Sequence, residues 1–436
     1  MKQYKEYKDS GVKWIGKIPS HWGIESFGRH FSYGKGLLIT KADLKEYGVA
    51  VISYGQIHAK NNTGTTLSET LTRRVDSSFL ETNPQCLLEK NDFIFADTSE
   101  DINGCGNYCF NDYDGIIFAG YHTVVARPNN LQYPKYYAYL MQSVAWKLQI
   151  QTLVNGVKVY SINKGILKKS SLLIPTITEQ QEIASYLDNK VSKIDKYIST
   201  AENKIAALDE LKQVTIADAV THGINPNAPM KDSGIPWIGM VPEHWKLIRI
   251  KFLFNEISEK KHPEEPCLCS TQKYGVIPQS MYENRVVVVN KGLENLKFVR
   301  KGNFVISLRS FQGGIEIAYY QGIISAAYTI LSLGNKNISS NYIKNLFKSS
   351  PFIQLLQTCV TGIREGQNIN YELLRRQFIP IPTLSQQNEI VAYIDRKVAQ
   401  IDKMKAAELA QIEKLKEYKQ RLISDVVTGK VKVTNE

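Results

Sequence analysis

A run of apolar residues in the middle of the chain alternates steps of four and three positions. Its members are Leu187, Val191, Ile194, Ile198, Ala201, Ile205 and Leu208. This spacing places a single apolar seam on an α-helix and is typical of a coiled coil. The seam continues less regularly through Leu211, Ile216 and Val220, and Gly223 and Pro226 favour a helix end beyond it. The pattern predicts one helix of about 45 residues, about 65 Å long.

The same pattern returns near the end of the chain. Its apolar positions are Ile394, Val398, Ile401, Ile412, Leu415 and Leu422. Lys405 and Glu408 interrupt this second seam. A capping box is predicted at Thr178 and Gln181 before the first helix, and a weaker one at Ser385 and Asn388 before the second. Because a long heptad helix occurs twice, we predict that the two pack together as a paired rod.

Two stretches of the sequence each occur twice. KDSGVKWIGKIPSHW at 8–22 returns as KDSGIPWIGMVPEHW at 231–245, and IPTITEQQEIASYLDNKVSKID at 174–195 returns as IPTLSQQNEIVAYIDRKVAQID at 381–402. Repeats at so long a period indicate a tandem duplication. The copies hold four of the five Trp residues, so a packing role is the simplest interpretation of the first pair.

The segments between the repeats, roughly 24–172 and 247–379, read as mixed α/β. Short β-rich runs such as Phe93–Phe95 and Val286–Val289 alternate with Gly and Asn turns. Each segment ends in a helix-like run, Tyr136 to Leu153 and Tyr342 to Val360, and then a Gly-containing loop at 155–163 or 361–370. The predicted fold class is therefore α/β (α+β), with two mixed domains and two long coiled-coil helices. The predicted boundaries are 1–177, 178–225, 226–384 and 385–436.

Charge is concentrated in the two variable segments. The chain carries a formal net charge of +12, of which 1–177 contributes +5 and 231–384 contributes +8, whereas 178–230 contributes −3. A basic surface on globular domains favours a polyanionic partner, because neutralising phosphates releases counterions. No apolar run reaches the ~18 residues of a membrane span, the N-terminus has no apolar signal-peptide core, and six Cys in 436 residues form no disulfide framework. We expect a cytoplasmic protein with reduced thiols and no membrane association.

No catalytic motif stands out. Gly11 to Lys17 matches most of a P-loop, but Ile18 stands where a Mg²⁺-binding Ser or Thr is required. Asp209-Glu210-Leu211-Lys212 faintly resembles the acidic–Lys set of metal-dependent nucleases, but it lies within the heptad helix and is expected to be a solvated face. We therefore predict no catalytic residues, no metal site and no cofactor.

The variable segments carry the side chains that DNA reading requires. Arg and Lys pair with guanine edges, and Gln or Asn with adenine edges. Such residues lie among aromatics and glycines on predicted loops. The candidate DNA-binding residues are Lys35, Gln56, His58, Lys60, Arg73, Arg74, Lys158 and Tyr160 in the first segment, and Gln272, Lys273, Tyr274, Arg309, Gln312, Arg364 and Gln367 in the second. For any one of them surface solvation is the competing interpretation, so the prediction concerns the loops as a set.

The doubled WIG-x-[IV]-P-x-HW element and the doubled Y-[LI]-D-x-K-V-x-x-ID element resemble the specificity subunit of type I restriction–modification systems over essentially the whole chain. The resemblance implies two target-recognition domains that each read one half of a bipartite, asymmetric site in double-stranded DNA. It also implies two long antiparallel helices that hold the domains apart and dock two methyltransferase subunits, with a motor–nuclease subunit joining the complex. The subunit itself would be non-catalytic.

Two other functions remain open at the level of the sequence. A coiled-coil scaffold that binds only proteins would share the helices and the duplication, but would not show salt-dependent DNA binding. An autonomous nuclease or ATPase would need a dispersed site that no motif reveals. If the first hypothesis holds, a rod of constant length between two basic domains acts as a ruler for half-site spacing.

Overall fold

A computed structural model describes residues 2–154, 156, 159–283, 291–335, 337–362 and 367–433. The chain divides into two compact units. Unit 1 comprises residues 1–200 and 410–436, and unit 2 comprises residues 201–409. The two long helices therefore contribute a segment to each unit. The fold class expected from the sequence, two mixed α/β domains with two long helices in a tandem duplication, is confirmed.

Unit 1 begins with a small hairpin and continues into two four-stranded sheets. Its strands are β1 (Tyr7–Asp9), β2 (Lys17–Pro19), β3 (Gly23–Ser26), β4 (Phe31–Lys35), β5 (Leu44–Lys45), β6 (Val49–Ile52), β7 (Arg73–Val75), β8 (Phe93–Ala96), β9 (Thr98–Ser99), β10 (Tyr108–Phe110), β11 (Ile117–Ala119), β12 (Thr123–Pro128), β13 (Tyr160–Ser161) and β14 (Ser171–Ile174). Its helices are α1 (Phe27–His30), α2 (Tyr54–Ile57), α3 (Phe79–Thr82), α4 (Pro134–Gln142), α5 (Val144–Gln151), α6 (Lys164–Lys169) and the first part of α7 (Ile177–Thr221).

Unit 2 repeats this plan with a different second sheet. Its strands are β15 (Met230–Asp232), β16 (Met240–Pro242), β17 (Lys246–Arg249), β18 (Phe254–Ile257), β19 (Leu268–Thr271), β20 (Gly275–Pro278), β21 (Lys297–Val299), β22 (Phe304–Ile306), β23 (Glu316–Ile317), β24 (Gly322–Ile324), β25 (Thr329–Leu333), β26 (Val360–Thr361), β27 (Asn368–Ile369) and β28 (Phe378–Ile381). Its helices are α8 (Ser310–Gly313), α9 (Ser340–Phe347), α10 (Ser350–Thr358), α11 (Tyr371–Leu374) and the first part of α12 (Leu384–Val427).

The main sheet has the same strand order in both units. Unit 1 runs β10-β8-β12-β4 and unit 2 runs β23-β22-β25-β18, with every neighbouring pair antiparallel. The second sheets differ. Unit 1 has the order β11-β6-β7-β5, whereas unit 2 has two separate pairs, β19-β20 and β21-β24. The short run at Phe93–Phe95 is confirmed as β8, and its fully buried residues explain why it reads as a continuous apolar run. The predicted strand Val286–Val289 lies outside the described residues.

The helix-like run that ends each variable segment is a pair of helices, not one. Ser143 separates α4 from α5, and Ser349 separates α9 from α10. Each serine is buried and donates its hydroxyl to the carbonyl oxygen three residues earlier, Leu140 at 2.6 Å or Leu346 at 2.7 Å. Serine competes with the helix backbone in this way, which favours a break and a new N-cap.

The predicted seam of α7 is confirmed over most of its length. Leu187, Val191, Ile194, Ala201 and Leu208 are buried, as are Ile394, Ile401, Ile412 and Leu422 of α12. Leu211 is an exception, because its side chain is 49% exposed.

The helix caps lie two residues before the predicted ones. Thr176 and Glu179 exchange hydrogen bonds at the start of α7, with Thr176 N–H donating to Glu179 Oε2 at 3.1 Å and Glu179 N–H donating to Thr176 Oγ1 at 3.3 Å. Thr383 and Gln386 do the same before α12, at 3.3 and 3.4 Å. Each Thr follows directly on a Pro, which lies outside the helix and therefore removes no hydrogen bond from it.

The polar residues that interrupt the second seam pair with the other helix. In unit 2, Lys405 forms an ion pair with Asp209, and Glu408 forms one with Lys204. Lys212 and Asp402 lie 2.9 Å apart in the same row. In these pairs the residue number rises along one helix as it falls along the other, so the segments run antiparallel. The predicted solvated face at 209–212 is confirmed for Asp209, Glu210 and Leu211, which are exposed, while Asp209 and Lys212 also make interhelical ion pairs.

The repeated WIG element is a β-hairpin. β1 pairs with β2, and β15 with β16. At each tip the carboxylate of Asp9 or Asp232 accepts the N–H two residues on, at 2.8 and 2.9 Å. No helix follows the hairpin turn, so the P-loop interpretation does not hold. The packing interpretation is confirmed for Trp22 and Trp245, which are 0% and 3% exposed, whereas Trp14 is 36% exposed.

Each hairpin covers the turn after a long helix. Gly429, with φ +73°, follows α12, and a Cβ atom there would lie 2.4 Å from Pro19 Cδ. Gly223, with φ +81°, follows α7, and a Cβ there would lie 3.2 Å from Trp245 Cζ2. Both positions combine a left-handed backbone with close packing, which only glycine tolerates well.

Among the described residues, no helix is both long enough and apolar enough to span a membrane. All six cysteines are free thiols, and five of them are buried.

Candidate nucleic-acid interface

Five of the seven candidate residues in the second segment line one cleft of unit 2, called here the second cleft. It has a volume of about 650 Å³ and lies between the loop after β19 and the loop after β22. Its lining includes the candidates Gln272, Lys273, Tyr274, Arg309 and Gln312. All five side chains are exposed. Residues that are 40 positions apart in the chain thus present polar groups to the same space.

The hairpin between β19 and β20 presents the first three of these residues. Thr271 Oγ1 donates to the carbonyl oxygen of Gly275 at 3.0 Å and accepts the N–H of Tyr274 at 3.0 Å. Gly275 has φ +74°, the conformation that this short connection requires. The Lys273 ammonium lies 4.7 Å from the centre of the Tyr274 ring. The Thr271 hydroxyl therefore fixes the shape of the tip, while a cation and an aromatic face remain exposed.

Lys348 forms hydrogen bonds to both loops of the second cleft, the one after β19 and the one after β22. Its ammonium donates to the carbonyl oxygens of Gln272 at 3.2 Å and Gly313 at 2.9 Å, and it forms an ion pair with Glu316. Glu316 is 4% exposed. Burial raises the pKa of Glu316 to about 7, although the Lys348 charge opposes that shift. The position of both loops therefore depends on a half-buried lysine and its buried carboxylate partner.

A cleft of about 830 Å³ occupies the corresponding place in unit 1 and is called here the first cleft. It is lined by α2 and His58 after β6, by Thr98–Gly104 after β8, and by Asn107, His122 and Lys147. The rings of Tyr54 and His122 lie 5.4 Å apart in a T-shaped arrangement. The correspondence follows from topology: β6 pairs in parallel with β11, and Cys267 just before β19 forms a parallel bridge with Ile323 of β24.

A chain of hydrogen bonds crosses the first cleft. His58 Nε2 lies 2.8 Å from the carbonyl oxygen of Thr98, and its Nδ1 lies 3.2 Å from Asn107 Nδ2. The Lys147 ammonium donates to Asn107 Oδ1 at 3.3 Å. This arrangement fits a neutral His58 that donates through Nε2 and accepts through Nδ1. Both ring nitrogens have protein partners, so the ring orients the loop around it. Burial lowers the pKa of Lys147.

The other candidates of unit 1 are dispersed. Tyr160 is paired with Ser99 in the β13–β9 ladder and so lies beside the first cleft. Gln56 caps α2 through its side-chain oxygen, which accepts the Ser53 N–H at 3.1 Å. Lys60 is exposed beyond α2. Lys35 lines a different cleft with Phe79 and Arg127, and Arg73 and Arg74 lie on β7.

Of the remaining candidates, Gln367 is exposed just before β27. Lys158 and Arg364 lie outside the described residues. As a DNA-contact set, all fifteen residues remain a prediction.

Sequence reasoning missed several residues that shape the clefts. Lys147 lies on α5, within a run that was predicted only as helical, and Lys348 follows the last residue of α9. Asn107 directly precedes β10, and Glu316 is the first residue of the short buried strand β23. None is marked by a local motif, since each acquires its role only when strands distant in sequence pair. In the described part of the chain, no group of three or more His, Cys, Asp or Glu is arranged to hold a metal ion.

Comparison with known proteins identifies the family. The family model described as "Type I restriction modification DNA specificity domain" matches the chain twice, over residues 22–207 and 242–414. The chain belongs to this family. The resemblance inferred from the repeats is thereby confirmed, and the two matches correspond to the two halves of the duplication. This family includes the DNA specificity subunits of type I restriction–modification systems.

Curated relatives and solved structures agree with the family assignment. The chain is 20% identical over 297 residues to the type I restriction enzyme EcoKI specificity subunit of Escherichia coli K12, and 21% identical over 305 residues to the EcoBI specificity subunit of Escherichia coli. These matches cover 64% and 65% of this chain, and 61% and 63% of the relatives. The chain thus spans less than two thirds of each curated relative it matches.

Two solved structures share the fold. One is a chain solved in work on complex assembly and conformational transition of the type I R-M system, with a TM-score of 0.64 and 16% identity over 95% of this chain and 99% of that one. The other is the HsdS subunit from Thermoanaerobacter tengcongensis, with a TM-score of 0.50 and 16% identity over 95% and 98%.

Proposed function

We propose that this chain is the non-catalytic specificity subunit of a type I restriction–modification complex and that each α/β unit reads one half of a bipartite, asymmetric DNA site. The observation that carries the proposal is the pair of clefts. They lie at corresponding positions of two duplicated units but are lined by different polar side chains. Because sequence is read by hydrogen bonds to base edges, different linings favour different half-sites.

The candidate residues suit this division. In the second cleft Arg309 would pair with a guanine edge, and Gln272 or Gln312 with an adenine edge. The basic candidates outside the clefts, Lys35, Arg73 and Arg74 among them, would contact phosphates, which position the protein without reading sequence. Within the proposal, residues 1–177 and 226–384 are the target-recognition domains, and 178–225 and 385–436 are the conserved helical segments.

The repeated parts would bind the partner subunits. Both hairpins, both capping threonines and both glycines after the long helices recur. Two equivalent surfaces suit two identical subunits, so we propose two methyltransferase subunits, with a motor–nuclease subunit completing the complex in the cytoplasm. Catalysis would reside in those partners.

Methylome sequencing tests the proposal directly. A host that carries the chain and its methyltransferase partners should show a bipartite methylated motif, and deletion of this chain alone should remove it. If no bipartite motif depends on the chain while the methyltransferase is present and folded, the proposal fails.

Domain exchange tests the division of labour. Replacing residues 24–172 with the corresponding segment of another family member should change one half-site and leave the other intact. A change in both half-sites would contradict the modular arrangement. Steep salt dependence of DNA binding by the assembled complex separates this function from a scaffold that binds only proteins, which predicts no such slope.

A further inference from the structure

We infer that Lys147, in the wall of the first cleft, binds a phosphate of the DNA backbone. The inference rests on the proposed function, since it assumes that unit 1 contacts DNA. It goes beyond that proposal by assigning a role to a residue with no local sequence signal and by naming the chemical group that it binds.

The geometry leaves most of the hydrogen-bonding capacity of the Lys147 ammonium unused. A lysine ammonium has three N–H donors, and among the described residues the Lys147 ammonium has one acceptor, Asn107 Oδ1 at 3.3 Å. The same Asn107 side chain donates to His58 Nδ1 and is therefore held in one orientation. The ammonium is positioned by a hydrogen bond that does not neutralise it.

No carboxylate of the described residues lies within 4.0 Å of the Lys147 ammonium. Glu100 and Asp101 line the same cleft, but the Asp101 carboxylate accepts the Gly104 N–H at 2.8 Å, and neither acid forms an ion pair with Lys147. The residues at 155, 157 and 158, which lie outside the described part of this segment, are Asn, Val and Lys and carry no acidic group. A desolvated charge is costly unless it is paired. The half-buried Lys147 has no counter-ion in the DNA-free protein, and this cost favours binding of an anion.

The second cleft shows the contrasting arrangement. There the half-buried lysine, Lys348, has its own carboxylate in Glu316 and two backbone carbonyl partners, so its donors are used. The two clefts thus occupy corresponding positions. Of the half-buried lysines Lys147 and Lys348, only Lys147 lacks a carboxylate partner among the described residues. A phosphodiester supplies both the missing negative charge and the acceptor oxygens, whereas the edge of a base supplies acceptors without a full charge.

The test uses the complete complex of this chain with its methyltransferase partners and duplexes that contain, or lack, its methylated motif. Lys147→Met should weaken binding to every duplex by the same factor, about tenfold. The slope of log affinity against log salt should fall by about 0.9 in magnitude, the contribution of one phosphate contact. The methylated motif should be unchanged. Lys169→Met, which alters an exposed lysine at the end of α6, is the matched control and should change neither quantity as much.

Methylphosphonate substitution locates the contact. Each phosphate of the half-site is neutralised in turn. Among the positions whose neutralisation weakens binding of the wild-type complex, one should lose its effect in Lys147→Met. A methylated motif relaxed at one base position in Lys147→Met would show a base contact and overturn the inference. An unchanged salt slope with wild-type affinity would also overturn it. By contrast, a wild-type complex that binds DNA without salt dependence would refute the proposed function itself.

Discussion

The hydroxyl of Tyr342 lies 3.0 Å from the carbonyl oxygen of Val220, to which it donates a hydrogen bond in the last turn of α7. Tyr136 makes the equivalent bond to Val427 in the last turn of α12, also at 3.0 Å. Both tyrosines are fully buried, and burial raises their pKa well above the ordinary value. The last carbonyl groups of a helix lack intrahelical partners, so each unit satisfies one of them with a tyrosine from its own α/β core.

Tyr136→Phe and Tyr342→Phe should each destabilise their own unit. Each change leaves a buried carbonyl group without this donor, which costs about 1–3 kcal/mol. The Tyr342 hydroxyl also lies 2.9 Å from the carbonyl oxygen of Pro380, so its single hydrogen is shared between two acceptors. Its replacement leaves both carbonyl groups without this donor and should cost more than that of Tyr136. Urea denaturation measures the loss, with Tyr197→Phe as an exposed control. Equal stability of all three variants would contradict a role for these bonds.

Acid should destabilise unit 1 through Glu179. Burial raises the pKa of Glu179, but hydrogen bonds from His21 at 3.0 Å, Thr176 at 3.1 Å and Trp22 at 3.3 Å outweigh burial and hold the pKa below its ordinary value. A carboxyl whose folded pKa is depressed stabilises the protein above its unfolded pKa, and that stability is lost as pH falls through the folded pKa.

The repeat supplies a matched comparison for this acid sensitivity. Gln386 takes the place of Glu179 in unit 2 and lies 2.7 Å from His244 Nε2. Because an amide does not titrate, Glu179→Gln should flatten the fall in stability below about pH 4.5, and Gln386→Glu should steepen it. Denaturation midpoints at several acidic pH values measure both. Parallel pH profiles for wild type and Glu179→Gln would argue against this account.

The ion pair between Lys405 and Asp209 should contribute to the register of the helices in unit 2 more than to their stability. Asp209→Lys or Lys405→Asp places like charges together, and each should lower the free energy of unfolding by under about 1 kcal/mol. The double swap should restore it. The coupling should shrink as salt is added, since the pair is partly exposed. Strictly additive single effects would show that the two side chains do not interact.

Lys348→Met should relax recognition by unit 2 alone. The change removes a donor to the backbone of both loops of the second cleft and leaves Glu316 buried without its cation. We expect methylation to spread to variants of one half-site while the other half-site stays unchanged. Motif sequencing measures this, and Lys260→Met, an exposed lysine of the same unit, is the control. Uniform loss of methylation at all sites would indicate misfolding of the subunit instead, which thermal denaturation would reveal.

The sequence by itself determined the duplication, the two long helices, the buried seam and the family. These features depend on residues that are close in sequence or on direct comparison of two stretches. A heptad seam is visible within a few turns of helix, and a repeated stretch is found by comparing the sequence with itself. The sequence pattern placed both helix caps two residues too late, at Thr178 and Ser385 instead of Thr176 and Thr383. Each pair of hydroxyl residues precedes the seam, and only backbone geometry distinguishes the two. The sequence pattern also read α4 and α5 as one helix, since the hydrogen bond that makes Ser143 a break is invisible in the apolar pattern.

Only the tertiary structure decided where polar groups meet. The second cleft exists because the pairing of β19 with β20 and the position of β22 bring the 270–274 and 307–316 loops together, and the partners of Lys147 and Lys348 come from distant elements. In the sequence, Lys405 and Glu408 interrupt the apolar seam of the second helix. The antiparallel register of the helices in unit 2 brings Asp209 and Lys204 beside them as ion-pair partners. Non-local strand pairing and helix register follow from packing the whole unit, so the electrostatics of these sites could not be derived from the order of residues alone.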